Sequence, residues 1–123
     1  MDIDQLAAEI TRAVREYTDD VEKGIEKRVD EVAELVRQDA VTNAPKRTGK
    51  YAKGFKVTKE DKGGNSRRIV WNKKYASRVH LLEMGHAKRG GGRVQAYPHL
   101  RPAFDTRAAG LPDDIKRIIR NGG

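Results

Sequence analysis

Val41-Thr42-Asn43-Ala44-Pro45-Lys46-Arg47-Thr48-Gly49-Lys50 is where this chain changes its period, and that change decides the fold. Before it, Ile3, Leu6, Ile10, Ala13, Tyr17, Val21, Ile25, Val29, Val32, Val36 and Ala40 recur at spacings of three and four, which draws one apolar stripe along an α-helix. Asp2 followed by Gln5 fits a capping-box start. Ala44-Pro45 is the stop, because the residue before a proline is pushed out of helical geometry. Unbroken, the helix would run about 60 Å at 1.5 Å per residue. A bend or break is therefore expected at Thr18-Asp19-Asp20 or at Gly24. The stripe drifts off a strict heptad and includes alanines, which favours a helix laid across a sheet or a neighbouring subunit over a coiled-coil seam.

After Pro45 the period falls to two. Phe55, Val57 and Lys59 alternate with Lys56 and Thr58, and Arg68, Val70 and Asn72 alternate with Ile69 and Trp71. Asp61-Lys62-Gly63-Gly64-Asn65-Ser66 between them is a turn signal, so the pair reads as a β-hairpin with one apolar face and Trp71 under the long helix. Tyr75, Ala76, Val79 and Leu82 suit a short helix ended by Gly85. Gly85 to Tyr97 is glycine-rich and cationic and is expected to stay mobile until a partner orders it. Pro102 opens a last helix that Gly110-Leu111-Pro112 kinks or divides, and Ile115, Ile118 and Ile119 form its apolar patch.

The fold class that follows is α+β: a long N-terminal helix packed on a small antiparallel sheet, with a short helix and a C-terminal helix. The chain reads as a single domain, 1–123, in four sections. These are an acidic helix (2–43), a β-hairpin and short helix (44–84), a flexible basic loop (85–97) and a C-terminal helical segment (98–123).

Composition bounds the function. With 123 residues, 37% apolar and 36% charged, the core is thin and the surface heavily charged. The absence of cysteine excludes disulfides, thiolate metal sites and thiol catalysis, and fits a reducing cytoplasm. Met1-Asp2-Ile3-Asp4 does not open a secretory signal, and no apolar window approaches the roughly 20 residues that span a bilayer, so a soluble chain without a membrane role is expected. The net charge of +8 is unevenly spread: residues 2–43 carry −6 and residues 44–123 carry +14. Such asymmetry points to a polyanionic partner, to subunits that meet acidic face to basic face, or to a merely solvated surface.

Motifs for chemistry lack the spacing they need. Thr48-Gly49-Lys50 hints at a phosphate loop, but the pattern needs a glycine where the chain has Ala44 and a hydroxyl where it has Tyr51. His80 and His86 are six apart, about 120° around a helix, whereas a zinc-hydrolase helix sets its histidines four apart on one face. No metal, no cofactor and no catalytic residue is assigned, and the chain is not expected to be an enzyme. Lys46-Arg47 with Lys50 and Lys53, and Lys88-Arg89 with Arg93, offer cations on permissive backbone, so a small basic nucleic-acid-binding protein is the alternative reading.

Three pieces together carry a resemblance: Ala44-Pro45-Lys46-Arg47-Thr48-Gly49-Lys50-Tyr51 after a long helix, Tyr75-Ala76 leading into Leu82-Glu83-Met84-Gly85-His86, and Pro98-His99-Leu100-Arg101-Pro102-Ala103. In order and spacing, from about Ala44 to Arg107, they resemble the tail-completion (tail-to-head joining) proteins of long-tailed bacteriophages, the minor tail proteins of the neck. The chain departs from that pattern in His99, where an aromatic is usual, and in Lys50, where an apolar residue is usual. The resemblance implies a non-enzymatic virion protein that forms a ring, commonly hexameric, at the head-proximal end of the tail. Its partners would be further copies of itself, the major tail-tube protein and the head-completion or connector protein, with nonspecific proximity to DNA in the channel. It would be found in the virion neck, and in the host cytoplasm during assembly. The residues expected at partner interfaces are Lys46, Arg47, Glu83, His86, Lys88, Arg89, Arg93, Tyr97, His99 and Arg101, with Glu83 holding the loop base through Arg101.

Overall fold

A computed structural model describes residues 2–46, 49–62 and 65–123. In chain order the elements are α1 (Ile3–Asn43), α2 (Lys50–Lys53), β1 (Phe55–Lys62), β2 (Asn65–Asn72), α3 (Ala76–Met84), β3 (His86–Ala87), β4 (Arg93–Val94), α4 (Leu100–Ala108) and α5 (Leu111–Asn121). The architecture is the expected α+β arrangement, with α1 as its spine.

The ends of α1 are set by the residues that predict them. Asp2 Oδ1 accepts from the Gln5 amide at 2.8 Å and Gln5 Oε1 accepts from the Asp2 amide at 3.1 Å, a closed capping box. At the other end Ala44 turns to ψ 150°, as Pro45 requires. Between them the expected break is absent, and α1 runs unbroken through Asp19, Asp20 and Gly24. Thr18 Oγ1 donates to the Val14 carbonyl, so its hydroxyl bonds within the helix and does not open a turn. A glycine inside a helix costs about 1 kcal/mol relative to alanine. Contact with α5 compensates, because a Cβ on Gly24 would lie 2.9 Å from Ile118 Cγ2. Gly24 is a seat for α5. Tyr17 Oη donates to the Ile119 carbonyl and Arg28 Nε reaches Asp114 at 2.8 Å, tying the same two helices on either side of it.

β1 and β2 pair antiparallel, with Phe55 opposite Asn72 and Val57 opposite Val70. Alternation puts those four residues on the face toward α1, where Phe55 and Asn72 are buried. Trp71 is therefore on the other face, a correction to its expected place under α1. There its Nε1 donates to Thr58 Oγ1 at 2.7 Å and the Lys56 ammonium sits 5.1 Å from its ring centre. The Gly63-Gly64 turn lies outside the described residues.

Two apolar groups form the core. Ala40, Ala44, Tyr51, Ala52 and Phe55 make one, against Val79 and Leu82. Val32, Val36 and Ala103 make the other, against Val70, Ala108 and Leu111, and Leu100 touches both. Helix α2 is not among the elements expected from the sequence. It follows Gly49 at φ 77° and turns Tyr51 and Ala52 inward. Gly110 divides the C-terminal segment into α4 and α5, as expected. Ion pairs then pin both helices to α1: Arg107 grips Asp39 through Nε at 2.6 Å and Nη2 at 3.1 Å, and Arg28 holds Asp114.

Candidate functional site

The Glu-x-Gly helix end and the Pro-x-x-Arg-Pro helix start meet in space, and Glu83 joins them. One carboxylate oxygen, Oε1, accepts from the His99 and Leu100 amides at 2.7 Å each, and Oε2 accepts from the Arg101 amide at 3.3 Å. These are the unpaired donors at the start of α4, where a negative charge is also favoured by the helix dipole. Glu83 thus caps α4 from another helix. Its side chain is 12% exposed. The expected pairing of Glu83 with the Arg101 side chain is not formed: Glu83 takes the Arg101 backbone amide, and the guanidinium turns to Asp105 at 3.1 Å.

His99 is the inner wall of this clamp. Its Nδ1 lies 2.9 Å from the Tyr97 carbonyl and 2.9 Å from Glu83 Oε1, and its Nε2 is 2.7 Å from the Tyr51 hydroxyl. Burial pushes the Tyr51 phenol up to about 12, with the Glu83 charge adding and Arg78 opposing. Tyr51 therefore keeps its proton at physiological pH, and its hydroxyl pairs with His99 Nε2 while Nδ1 faces two acceptors, the Tyr97 carbonyl and Glu83. Tyr51, Phe55 and Tyr97 surround the imidazole, the first two edge-on at 5.5 and 5.7 Å between ring centres. A fully buried Asn72 completes the frame, donating from Nδ2 to the Tyr51 carbonyl at 2.7 Å and accepting from the Tyr75 amide at 3.2 Å.

On this base stands the basic segment. Expected as a flexible basic loop, it carries a short antiparallel pair of two-residue strands, with His86 opposite Val94 and Ala87 opposite Arg93. Gly85 makes the close approach possible. It sits at φ 72°, and a Cβ there would lie 2.6 Å from the Val94 carbonyl oxygen. Arg93 Nη2 donates to the Met84 carbonyl at 2.9 Å, and the Tyr97 amide donates to the Leu82 carbonyl at 2.6 Å. Lys88 and Arg89 are exposed at the tip.

The structure thus gathers Glu83, His86, Lys88, Arg89, Arg93, Tyr97, His99 and Arg101 around one hairpin, with Glu83 and His99 inside and the cations outside. Lys46 stands apart, its ammonium donating to the Thr42 carbonyl at the end of α1. Arg47 lies outside the described residues. Tyr51 and Asn72 were missed as members of the clamp. In the sequence Tyr51 figures only as the residue that breaks the phosphate-loop pattern and as the end of the Ala44–Tyr51 motif, and nothing there places it in the core.

Beside the clamp runs an apolar groove of about 890 Å³. Val29, Val32 and Val36 of α1 form its floor, Met84 and Phe104 stand at its edges, and Arg67 and Arg101 are at the rim. Among the described residues, no three His, Asp or Glu side chains are grouped to hold a metal, and no helix is long and apolar enough to cross a membrane.

Compared with known protein families, residues 8–85 match the family described as "Bacteriophage HK97-gp10, putative tail-component". The match takes in most of α1, which the sequence motifs had left aside. It ends at Gly85, before the Pro98–Ala103 motif. No curated protein and no solved structure matches the chain.

Proposed function

Because this chain belongs to the bacteriophage HK97-gp10-like family, we propose that it is the structural subunit of a ring at the head-proximal end of a phage tail. There it completes the tail and joins it to the head. The family match over residues 8–85 carries this reading. A tail component belongs in the virion and meets other virion proteins; on this reading its copies form a hexameric ring that docks to the tail tube and the head connector.

The geometry of the clamp supports a joining role over a catalytic one. The Glu83 carboxylate is spent on three backbone amides of α4, and His99 is held between Tyr51, Tyr97 and Glu83. These groups fix the root of the hairpin. The surface they leave for partners is the exposed cationic tip with Lys88 and Arg89, together with Arg101 and the exposed ring of Tyr97. His86, Arg93, Lys46 and Arg47 complete the proposed interface set. The chain acts as one domain, assembled in the host cytoplasm, with its hairpin close to the DNA channel.

Electron microscopy of lysates with and without the gene tests the reading. Its deletion leaves separate filled heads and tails; normal virions from the deletion would sink it.

A further inference from the structure

We propose that the N-terminal third of α1 in one copy docks in the arginine-rimmed groove of the next copy, making a head-to-tail contact that repeats around the assembly. This rests on the reading of the chain as an assembling tail subunit and names the surfaces that would do the assembling.

The apolar stripe of α1 has two fates. From Val29 onward it lies inside the fold as the groove floor, and Tyr17 meets α5. Before that, Ile3, Leu6, Ile10 and Val14 are each at least half exposed (85, 50, 56 and 59%). At 100° per residue these four fall within about 80° of arc, one continuous face. Asp2, Glu9 and Glu16 follow along one flank of it, and residues 2–20 hold six acidic groups against two arginines.

The groove is the counterpart on the same chain. Met84 and Phe104 at its edges are 62 and 55% exposed, the largest apolar side chains left open on that side. Its rim cations, Arg67 and Arg101, are mostly exposed even with Glu60 and Asp105 beside them. An apolar helix face with an acidic flank fits an apolar groove with a cationic rim.

Geometry says the two belong to different copies. The groove floor is α1 itself, about 35 Å along the helix from the exposed stripe at 1.5 Å per residue. Since α1 is unbroken, its tip cannot fold back onto its own floor. The tip is also unsuited to pair with another tip, because two segments of net −4 would be brought side by side. A contact between two different patches of identical chains is heterologous, and it closes into a ring when the rotation allows.

The test uses the full chain and two variants altered only at exposed positions: Leu6→Glu/Ile10→Glu at the tip and Met84→Glu/Phe104→Glu in the groove. Circular dichroism checks that both keep the wild-type helix content. Sedimentation velocity is run to about 0.5 mM, enough to reveal contacts as weak as a Kd of about 0.1 mM. The wild type should grow past the dimer, each variant alone should stay monomeric, and an equal mixture should stop at the dimer, since only one intact tip and one intact groove remain. Raising salt from about 0.05 to 0.5 M should weaken the wild-type association, as exposed charges are screened. A monomeric wild type, a groove variant that associates like the wild type (tip-to-tip pairing), or a mixture that stays monomeric would each overturn the proposal. Separate heads and tails in the deletion lysate together with failed sedimentation would refute this contact alone; normal virions would refute the tail reading itself.

Discussion

Replacing Glu83 with alanine removes one carboxylate from four partners at once, and the structure sets the scale of the loss. Three amides at the start of α4 lose their acceptor, and the His99 ring loses one of two, keeping the Tyr97 carbonyl. Losing an N-cap costs about 0.5–2 kcal/mol. Leaving a buried donor unsatisfied costs about 1–3 kcal/mol, and here the His99 and Leu100 amides are partly buried while the exposed Arg101 amide can turn to water. Glu83→Ala is therefore expected to cost about 2–4 kcal/mol. Against a typical domain stability of 5–15 kcal/mol that is a large fraction, equivalent to a melting point lower by roughly 10 °C. Glu83→Gln keeps one acceptor oxygen but loses the charge and turns an amide toward a donor, so about half the loss is expected. Urea denaturation measures both, and hydrogen exchange at His99, Leu100 and Arg101 localises the effect. Arg101→Glu is the control: its side chain faces Asp105 and solvent, so it should fall within about 0.5 kcal/mol of wild type. Charge reversal at both positions should do no better than reversal of Glu83 alone. A near-neutral Glu83→Ala, or rescue by the double reversal, would refute the backbone clamp and favour a side-chain ion pair.

Other perturbations probe the remaining joints. Gly85→Ala puts a side chain into a φ of 72° and a Cβ 2.6 Å from the Val94 carbonyl oxygen, so it should destabilise by at least about 2 kcal/mol; normal thermal unfolding of that variant would count against the close approach. Gly24→Ala would gain about 1 kcal/mol in an isolated helix, but here the gain should vanish against Ile118 and return in Gly24→Ala/Ile118→Ala, as a denaturant series can show. The hydrogen bond from Arg107 holds the Asp39 carboxyl below its usual 3.8. A lowered carboxylate stabilises the fold above its unfolded value and loses that contribution as pH falls through the folded one. Acid unfolding below about pH 4 should therefore blunt in Arg107→Ala relative to wild type, while the two differ by a constant amount at neutral pH.

What could be read from the sequence was whatever depends on near neighbours. The capping box at Asp2 and Gln5, the stop at Pro45, the hairpin period and the helix end at Gly85 are all local rules, and each reappears in the structure. The misreadings have one cause, contacts distant in sequence. Gly24 reads as a breaker until Ile118, more than ninety positions away, is seen to need the space of its missing Cβ. Trp71 reads as core because it is large, yet register gives the inward places to Val70 and Asn72. Tyr51 reads as a loop aromatic until His99 arrives beside it. The same logic explains why the site was half legible. Glu83 and His99 could be picked out as unusual residues at the two ends of a basic segment, and the pairing the sequence suggests is Glu83 with Arg101. Which atoms meet could not be read, since a carboxylate near the sequence Pro-His-Leu-Arg has a guanidinium and three amides to choose from. Helix α4 decides: its first amides have no partners within the helix, and those of His99 and Leu100 are partly buried, whereas the exposed Arg101 head is readily solvated. The carboxylate goes where the unmet need is greatest.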